Sequence, residues 1–277
     1  MKVDSHVHFW DERHTPQPWM SADDAAIARP FGPADIKPLL DRNGVDAIIV
    51  VQGACLDSDT DYLVGEAARN DWIGALTVWA CLEDPDRAAR RLDELASSPK
   101  LRAVRHLSHN EPDHWLMQPA VLESIALLEE RDLILEIPVV FPRHFDDVVA
   151  LAERFTGLRI VIDHLGKPPI GAPAMRRWGE ELGAVAEHPN VFAKVSGLNT
   201  ALGWSDWSTA DLRPAVEIAL DCFGTSRLMC GSDWPVALLN GDYDRVWQAT
   251  SEVLVALAPD AASLLLGETA RRVYRFE

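Results

Sequence analysis

The chain has 277 residues, of which 48% are hydrophobic and 25% are charged, as in ordinary soluble globular proteins. This length lies within the range of one α/β barrel, so we expect a single domain over residues 1–277 rather than two. The formal net charge is −17 and no basic stripe interrupts the acidic background, which argues against nucleic acid as a partner.

The N-terminus and the cysteines predict a cytoplasmic protein without a membrane anchor. The opening residues, MKVDSHVHFWDERH, carry charges and histidines where a secretory signal needs an apolar run. The longest apolar run, AIIVV at 47–51, is too short to cross a bilayer. The cysteines match neither a Cys-x-x-Cys redox motif nor a zinc-binding spacing, so we expect free thiols in a reducing compartment. They are Cys55, Cys81, Cys222 and Cys230.

Short apolar or β-branched runs recur along the whole chain and predict eight strands. The runs cover 3–9, 46–52, 72–80, 101–107, 133–140, 158–165, 191–198 and 227–233. Segments with helical signals separate them, and a strand–helix alternation of this kind predicts a parallel sheet. Eight such units close into a (β/α)₈ TIM barrel. A doubly wound open sheet is the alternative, but no G-x-G-x-x-G follows the first run.

Three of the intervening helices have recognisable ends. Helices are expected to start at Asp84-Pro85 and at Gln118-Pro119, because proline favours the first helical position. A third is expected to start after Thr209 or Asp211 and to end at Gly224.

Polar side chains gather at the C-terminal ends of the predicted strands, where α/β-barrel enzymes carry their active sites. His6 and His8 are two residues apart in the first strand, so they share one face and can meet one ligand. His164 ends the sixth strand and Asp233 ends the eighth. The structural alternatives are two exposed loop histidines, a core histidine at 164 and a helix N-cap at 233. Five other histidines are expected in loops or at helix starts, away from the chemistry: His14, His109, His114, His144 and His188.

Two further pairs of residues at these strand ends are ambiguous. Lys194 in the seventh strand and Glu136 in the fifth are either site residues or a buried ion pair with a structural role. Arg105 and His106 are consecutive, so only one of them faces the interior unless the strand is bulged. We expect this residue to be Arg105, because its parity partner Ala103 suits a barrel interior.

Six stretches together resemble the signatures of one enzyme family. They are DSHVHFWD, VVQGA, VRHLSHNEPDHWL, VIDHLGKP, FAKVSGL and RLMCGSDWPV, and they run from residue 3 to about 240. They are similar to the amidohydrolase superfamily, in the metal-dependent-hydrolase branch that contains L-fuconolactonase and L-rhamnonolactonase. The resemblance implies a (β/α)₈ fold, hydrolysis of a sugar-acid or related lactone, and catalytic roles for His6, His8, His164 and Asp233.

The chain departs from the family pattern at three positions. Superfamily members with two metals bridge them through a lysine on the fourth strand, whereas Lys100 precedes that strand. Single-metal members add a histidine at the end of the fifth strand, where this chain has Glu136. We therefore expect at most one divalent ion, Zn²⁺ before others, weakly held or dispensable. Ala201 stands where family members carry an acidic residue, so their sugar specificity does not transfer.

Opening a lactone requires a base for water, a group that polarises the carbonyl and a proton for the departing alkoxide. We expect Asp233 to take the proton from water and return it, while His164 orients Asp233 or the water. His6 and His8 either bind one Zn²⁺-like ion, together with Asp233, or hydrogen-bond the oxyanion directly without a metal. The chain has no G-x-S-x-G, so a covalent acyl-enzyme is disfavoured.

Several side chains are candidates for contact with the substrate. Lys194, as a third catalytic candidate, and Arg105 are expected to reach the carbonyl or hydroxyl groups, with His106 beside them. Flat aromatic faces at strand ends suit a sugar ring, although filling loop cores is the alternative. The tryptophans at such positions are Trp10, Trp19, Trp79, Trp204, Trp207 and Trp234, of which Trp10, Trp79 and Trp234 are our predicted contacts.

Two other functions compete with lactone hydrolysis. A metal-dependent decarboxylase of the same superfamily would use the same histidines but needs a tightly held ion, and the missing strand-five histidine counts against it. A sugar-binding barrel without turnover is the second alternative. The complete set of His6, His8, His164 and Asp233 counts against it, because binding alone does not require these residues. We expect a small lactone as the partner and no organic cofactor.

Overall fold

The computed structural model describes residues 1–203 and 206–277, so Trp204 lies outside the described residues. Within these ranges eight parallel strands form one sheet, in which neighbours along the chain are neighbours in space. The strands are β1 Val3–Val7, β2 Ala47–Val51, β3 Ile73–Val78, β4 Leu101–Arg105, β5 Ile134–Ile137, β6 Ile160–Ile162, β7 Val191–Val195 and β8 Leu228–Cys230. Each lies inside one of the predicted runs.

The sheet closes on itself between β1 and the segment that follows β8. Val7 forms a parallel bridge with Trp234. The backbone N–H of His8 donates to the oxygen of Trp234 at 2.7 Å, and that of Asp233 donates to the oxygen of His6 at 2.9 Å. The molecule is therefore a (β/α)₈ barrel rather than an open sheet, as predicted.

The helices surround this barrel. They are α1 Pro33–Asn43, α2 Asp57–Arg69, α3 Pro85–Leu95, α4 Pro119–Glu130, α5 Phe145–Arg154, α6 Met175–Ala186, α7 Leu198–Leu202, α8 Thr209–Phe223, α9 Tyr243–Leu257 and α10 Thr269–Tyr274. Both predicted proline starts are confirmed. The N-cap of α8 is Ser208, one residue earlier than predicted, and Asp211 accepts from its backbone N–H at 2.7 Å in a capping box.

Two apolar layers hold the fold together. The outer layer lies between strands and helices, and the inner one fills the barrel with small and branched side chains such as Ala75, Ala103 and Val161. The C-terminal helix α10 closes the N-terminal end of the barrel, where Tyr274 joins the inner layer. The opposite, C-terminal end is left for the loops that follow the strands.

The structure bears on the thiols and on possible membrane-spanning helices. All four cysteines are free thiols. Within the described ranges no single helix is long and apolar enough to cross a membrane. One pair bent by 117°, Tyr243–Leu257 with Pro259–Tyr274, has the required length and composition when taken together.

Candidate active site and metal centre

His6 and His8 face one another at the C-terminal end of β1. Both side chains are buried, and their Nε2 atoms are 3.1 Å apart. The Nδ1 atom of His8 lies 2.8 Å from the carbonyl oxygen of Val51 on β2. Because a carbonyl only accepts, Nδ1 of His8 carries the proton and neutral His8 has a lone pair on Nε2. This geometry supports the hypothesis that both histidines meet one ligand.

Asp233 joins the two histidines from the turn after β8. Its Oδ1 atom lies 3.4 Å from Nε2 of His8 and 3.7 Å from Nε2 of His6. The backbone has a φ of 64°, a left-handed conformation that aspartate adopts more readily than most residues. The next helical turn is capped at Pro235 rather than at Asp233. The alternative role of Asp233 as an N-cap is therefore wrong.

His164 reaches the same point from the tight turn Asp163–Gly166 after β6. Its Nε2 atom lies 3.9 Å from Oδ1 of Asp233, and its Nδ1 atom lies 2.9 Å from the hydroxyl of Ser196. A Cβ at Gly197 would lie 2.9 Å from both Nδ1 of His164 and Oδ2 of Asp233. Gly197 therefore permits the close approach of these two groups.

The donor atoms of His6, His8 and Asp233 form a triangle that fits one divalent cation. The sides measure 3.1, 3.4 and 3.7 Å. Two ligands of a tetrahedral zinc ion are about 3.4 Å apart when each bond is about 2.1 Å. Imidazole nitrogen and carboxylate oxygen are also donors that zinc takes. These three residues thus fit a single metal ion.

Asp163 lies next to His6 and gathers the cationic side chains of the site. Its carboxylate oxygens are 3.2 Å from Nε of Arg105, 3.7 Å from Nζ of Lys194 and 3.3 Å from Nδ1 of His6. Donors of His6, Asp163 and His164 also cluster, but two cations beside Asp163 disfavour a second metal ion there. If His6 binds a cation through Nε2, its proton must sit on Nδ1, where Asp163 is the nearby acceptor.

Lys194 and Glu136 form a buried ion pair beneath His6. The Nζ and Oε1 atoms are 2.6 Å apart, and neither side chain is exposed. The other oxygen of Glu136 accepts from the hydroxyls of Thr77 at 2.8 Å and Tyr274 at 2.6 Å. Burial alone would raise the pKa of Glu136, but the Lys194 ammonium lowers it to about 2. Because Lys194 also lies 3.2 Å from Nδ1 of His6, the pair supports that histidine from below.

The surroundings keep His6 and His164 neutral and Asp233 charged. Burial, reinforced by the positive charge of Lys194, lowers the pKa of His6 well below its ordinary value. Burial also lowers the pKa of His164 to about 4. Burial would raise the pKa of Asp233, but His164 and His8 outweigh it and hold that pKa below its ordinary value. At neutral pH the imidazoles of His6 and His164 offer lone pairs and Asp233 a negative charge, which suits both metal binding and proton abstraction.

A cavity of about 600 Å³ opens above these groups. His8, Arg105, His164 and Asp233 contribute to its lining, and Arg105 faces inward as strand parity predicted. The apolar part of the wall comes from Trp10, Trp19, Leu107, Pro168, Val236 and Leu239. The volume lies within the range of pockets that enclose small ligands.

Comparison with known proteins places the chain in a family. The amidohydrolase family profile matches residues 3–276. The chain belongs to the amidohydrolase family. The sequence resemblance is thereby confirmed over nearly the whole length.

Three relatives of this amidohydrolase are close enough to be informative. A protein from Burkholderia ambifaria named L-fucono-1,5-lactonase is 37% identical over 282 residues, which cover 100% of this chain and 96% of that protein. A second protein of that name, from Burkholderia multivorans, is 34% identical over 286 residues, covering 99% of this chain and 96% of that protein. A solved amidohydrolase from Burkholderia multivorans with bound zinc has a TM-score of 0.92 and 32% identity, with 100% of both chains covered.

Three predicted substrate contacts of the amidohydrolase do not lie among the described residues of the cavity wall. The ring of Trp234 is buried and packs edge-on against the ring of Phe31, with the two ring centroids 5.2 Å apart. The indole N–H of Trp79 donates to Nδ1 of His106 at 3.2 Å, and Nε2 of His106 lies 3.0 Å from Glu111. These side chains pack within the protein instead of reaching the cavity, so their assignment to substrate is corrected.

Two other residues of the amidohydrolase, Lys194 and His109, lie elsewhere than we expected. Lys194 has no exposed surface and lies beneath His6, so direct contact between its ammonium and a substrate does not fit its position. His109, expected in a loop away from the chemistry, lines the cavity together with Gln52 and Lys167. These three residues follow the ends of β4, β2 and β6, where barrel loops face the active site. Their positions just after strand ends are the sequence signal by which these cavity residues could have been found.

Proposed function

We propose that this amidohydrolase opens the ring ester of a small sugar-acid lactone by adding water. The observation that carries the proposal is Asp233, a carboxylate with a lowered pKa held among three imidazoles on a cavity of about 600 Å³. A charged base beside a pocket of this size meets the first requirement of ester hydrolysis. The two relatives named L-fucono-1,5-lactonase support a lactone as the substrate class.

Asp233 is the proposed base. It takes a proton from water while the water oxygen bonds to the carbonyl carbon of the lactone. His164 lies 3.9 Å from Oδ1 of Asp233 and is itself held by Ser196 at 2.9 Å. This arrangement fixes the imidazole, which in turn orients the carboxylate or the water.

Arg105 is the proposed donor to the carbonyl oxygen. Its guanidinium lines the cavity, with Nη1 3.4 Å from Nε2 of His6 and Nε 3.2 Å from the carboxylate of Asp163. A cation held in place in this way stabilises the negative charge that develops on the carbonyl oxygen. The bond from the carbonyl carbon to the ring oxygen then breaks, and Asp233 returns its proton to the alkoxide. The product is an open-chain hydroxy acid.

A single zinc ion on His6, His8 and Asp233 is part of the proposal. When bound there, the ion would lower the pKa of water and polarise the carbonyl. Support comes from the donor triangle in this chain and from the zinc in the solved relative. Metal analysis should find no more than one ion per chain, and a value near two would contradict the assignment.

The function is tested with a panel of 1,4- and 1,5-lactones of aldonic and aldaric acids. Proton release is followed for the zinc-loaded protein and for protein treated with a chelator. We expect at least one lactone to be opened far faster than without protein. If the zinc-loaded protein opens none, the proposal fails. Carbon dioxide release from hydroxybenzoates, measured in parallel, tests the decarboxylase alternative.

A further inference from the structure

The strand that carries His6 and His8 is irregular. In its pairing with β2, Val3 lies opposite Ala47 and Asp4 opposite Ile48, but the next pair is Val7 with Val50. β1 therefore places two residues where β2 places one, which is the signature of a β-bulge.

The bulge decides which way the histidines point. Val3 belongs to the apolar layer inside the barrel, so strict alternation would send His6 and His8 to the outer face. The extra residue reverses the parity after Asp4. Both histidines consequently face the inside of the barrel, whereas Asp4 lies on the outer side, against Tyr243 of α9.

Asp4 is fully buried and accepts three hydrogen bonds. Its Oδ1 atom accepts from the backbone N–H of His6 at 3.2 Å and from that of Ser232 at 2.8 Å. Its Oδ2 atom accepts from the hydroxyl of Tyr243 at 3.1 Å. Every partner donates, so a carboxylate, which only accepts, satisfies them better than an amide would.

These bonds tie the bulge to the segment that carries Asp233. The bond to His6 spans the bulge within β1, and the bond to Ser232 reaches the residue immediately before Asp233. Backbone bonds from Asp233 to His6 and from His8 to Trp234 continue the same connection. The side chain of Asp4 thus links the strand that carries His6 and His8 to the segment that carries Asp233.

We propose that Asp4 is a positioning residue of this active site. It holds the bulge that turns His6 and His8 into the barrel, and it sets the distance from these histidines to Asp233. The inference rests on the proposed function only where turnover is the measurement. The placement of the donor triangle can be measured without any lactone.

The test compares D4A with D46A, a matched control. Asp46 also accepts from a backbone N–H of this strand region, that of Lys2 at 2.7 Å, but is exposed and precedes β2 at the far end of the barrel. Zinc affinity is measured by competition with a chromophoric chelator, and kcat and KM on the best lactone. NMR signals of the imidazole Cε1–H groups report on His6 and His8 without a ligand.

We expect D4A to weaken zinc binding by ~10- to ~100-fold and to lower kcat by a similar factor, as for other residues that orient metal ligands. KM should change by less than about threefold, because Asp4 does not line the cavity. D46A should match the wild type in all measurements. D4N keeps one acceptor and should fall between D4A and the wild type.

The outcomes separate this inference from the proposed function. A folded D4A protein with wild-type zinc affinity, kcat and imidazole signals overturns the inference, whatever its melting temperature. If D4A does not fold, D4N and Y243F replace it, and unchanged signals in both overturn it equally. If the wild type opens no lactone, the proposed function fails while zinc affinity and NMR still decide the role of Asp4.

Discussion

The ammonium of Lys194 lies 2.6 Å from the carboxylate of Glu136, with neither side chain exposed, directly beneath a candidate metal ligand. Removing one charge from such a pair leaves the other buried without compensation. E136Q should therefore lower the free energy of unfolding by ~3 to ~5 kcal/mol. Urea denaturation measures the change. The double variant E136L/K194M should regain part of the loss, and a double variant less stable than E136Q would contradict this explanation.

Gly197 is predicted to be required for activity because of its contacts rather than its backbone alone. Its φ is 61°, and an added Cβ would lie 2.9 Å from groups on Asp233 and His164. Gly203 has a similar φ of 73°, but no atom of the described residues lies within 4 Å of such a Cβ. Both G197A and G203A should lose ~1 to ~2 kcal/mol of stability from the left-handed backbone. Only G197A should lose lactone turnover. Equal turnover in the two variants would refute the explanation that contacts with Asp233 and His164 require glycine at position 197.

Asp233 is predicted to be the base, so D233N should lower kcat by at least ~100-fold, the effect of losing a general base. The carboxylate has a lowered pKa and lies within 3.4 to 3.9 Å of three imidazoles. Circular dichroism should show an intact fold. Near-normal turnover in folded D233N protein would assign the proton transfer to another group.

His164 and His188 are predicted to differ sharply in importance. H164N removes the imidazole held between Ser196 and Asp233, and activity should fall by ~10- to ~1,000-fold. His188 precedes β7 at the opposite end of the barrel, so H188N should keep kcat within about threefold of the wild type. Both variants are assayed on the same lactone. An equal loss in the two would mean that the active site is wrongly placed.

Asp59 in α2 is predicted to make stability depend on pH. Its carboxyl accepts from the backbone N–H of Gly53 at 3.1 Å, and burial raises its pKa from 3.8 to about 7. Between these values the folded state binds more protons at Asp59 than the unfolded state, so this group lowers stability as pH rises. Relative to wild type, D59N should therefore gain stability from pH 4 to pH 7. D61N, at an exposed residue of the same helix, serves as control. Parallel curves of unfolding free energy against pH for D59N and wild type would refute the raised pKa of Asp59.

The order of strands and the main ligand candidates follow from the sequence alone. Apolar runs and proline helix starts are local signals, and their alternation over the whole chain leads to a barrel. His6 and His8 share a face because alternate residues in a strand do so, and Asp233 follows the last strand. These features depend on residues close together in the chain, which is why they could be predicted.

How deeply the site side chains lie in the barrel, and which way they point, was decided only by the tertiary structure. The bulge at Asp4, the burial of Lys194 beneath His6 and the contact of Trp79 with His106 each depend on partners from distant segments. The role of Asp163 among Arg105, Lys194 and His6 arises in the same way. Strand periodicity tells which side chains share a face, but neither where a bulge reverses that face nor which layer of the barrel a side chain occupies. That layer is set by the stagger between neighbouring strands, and stagger is a property of the closed barrel.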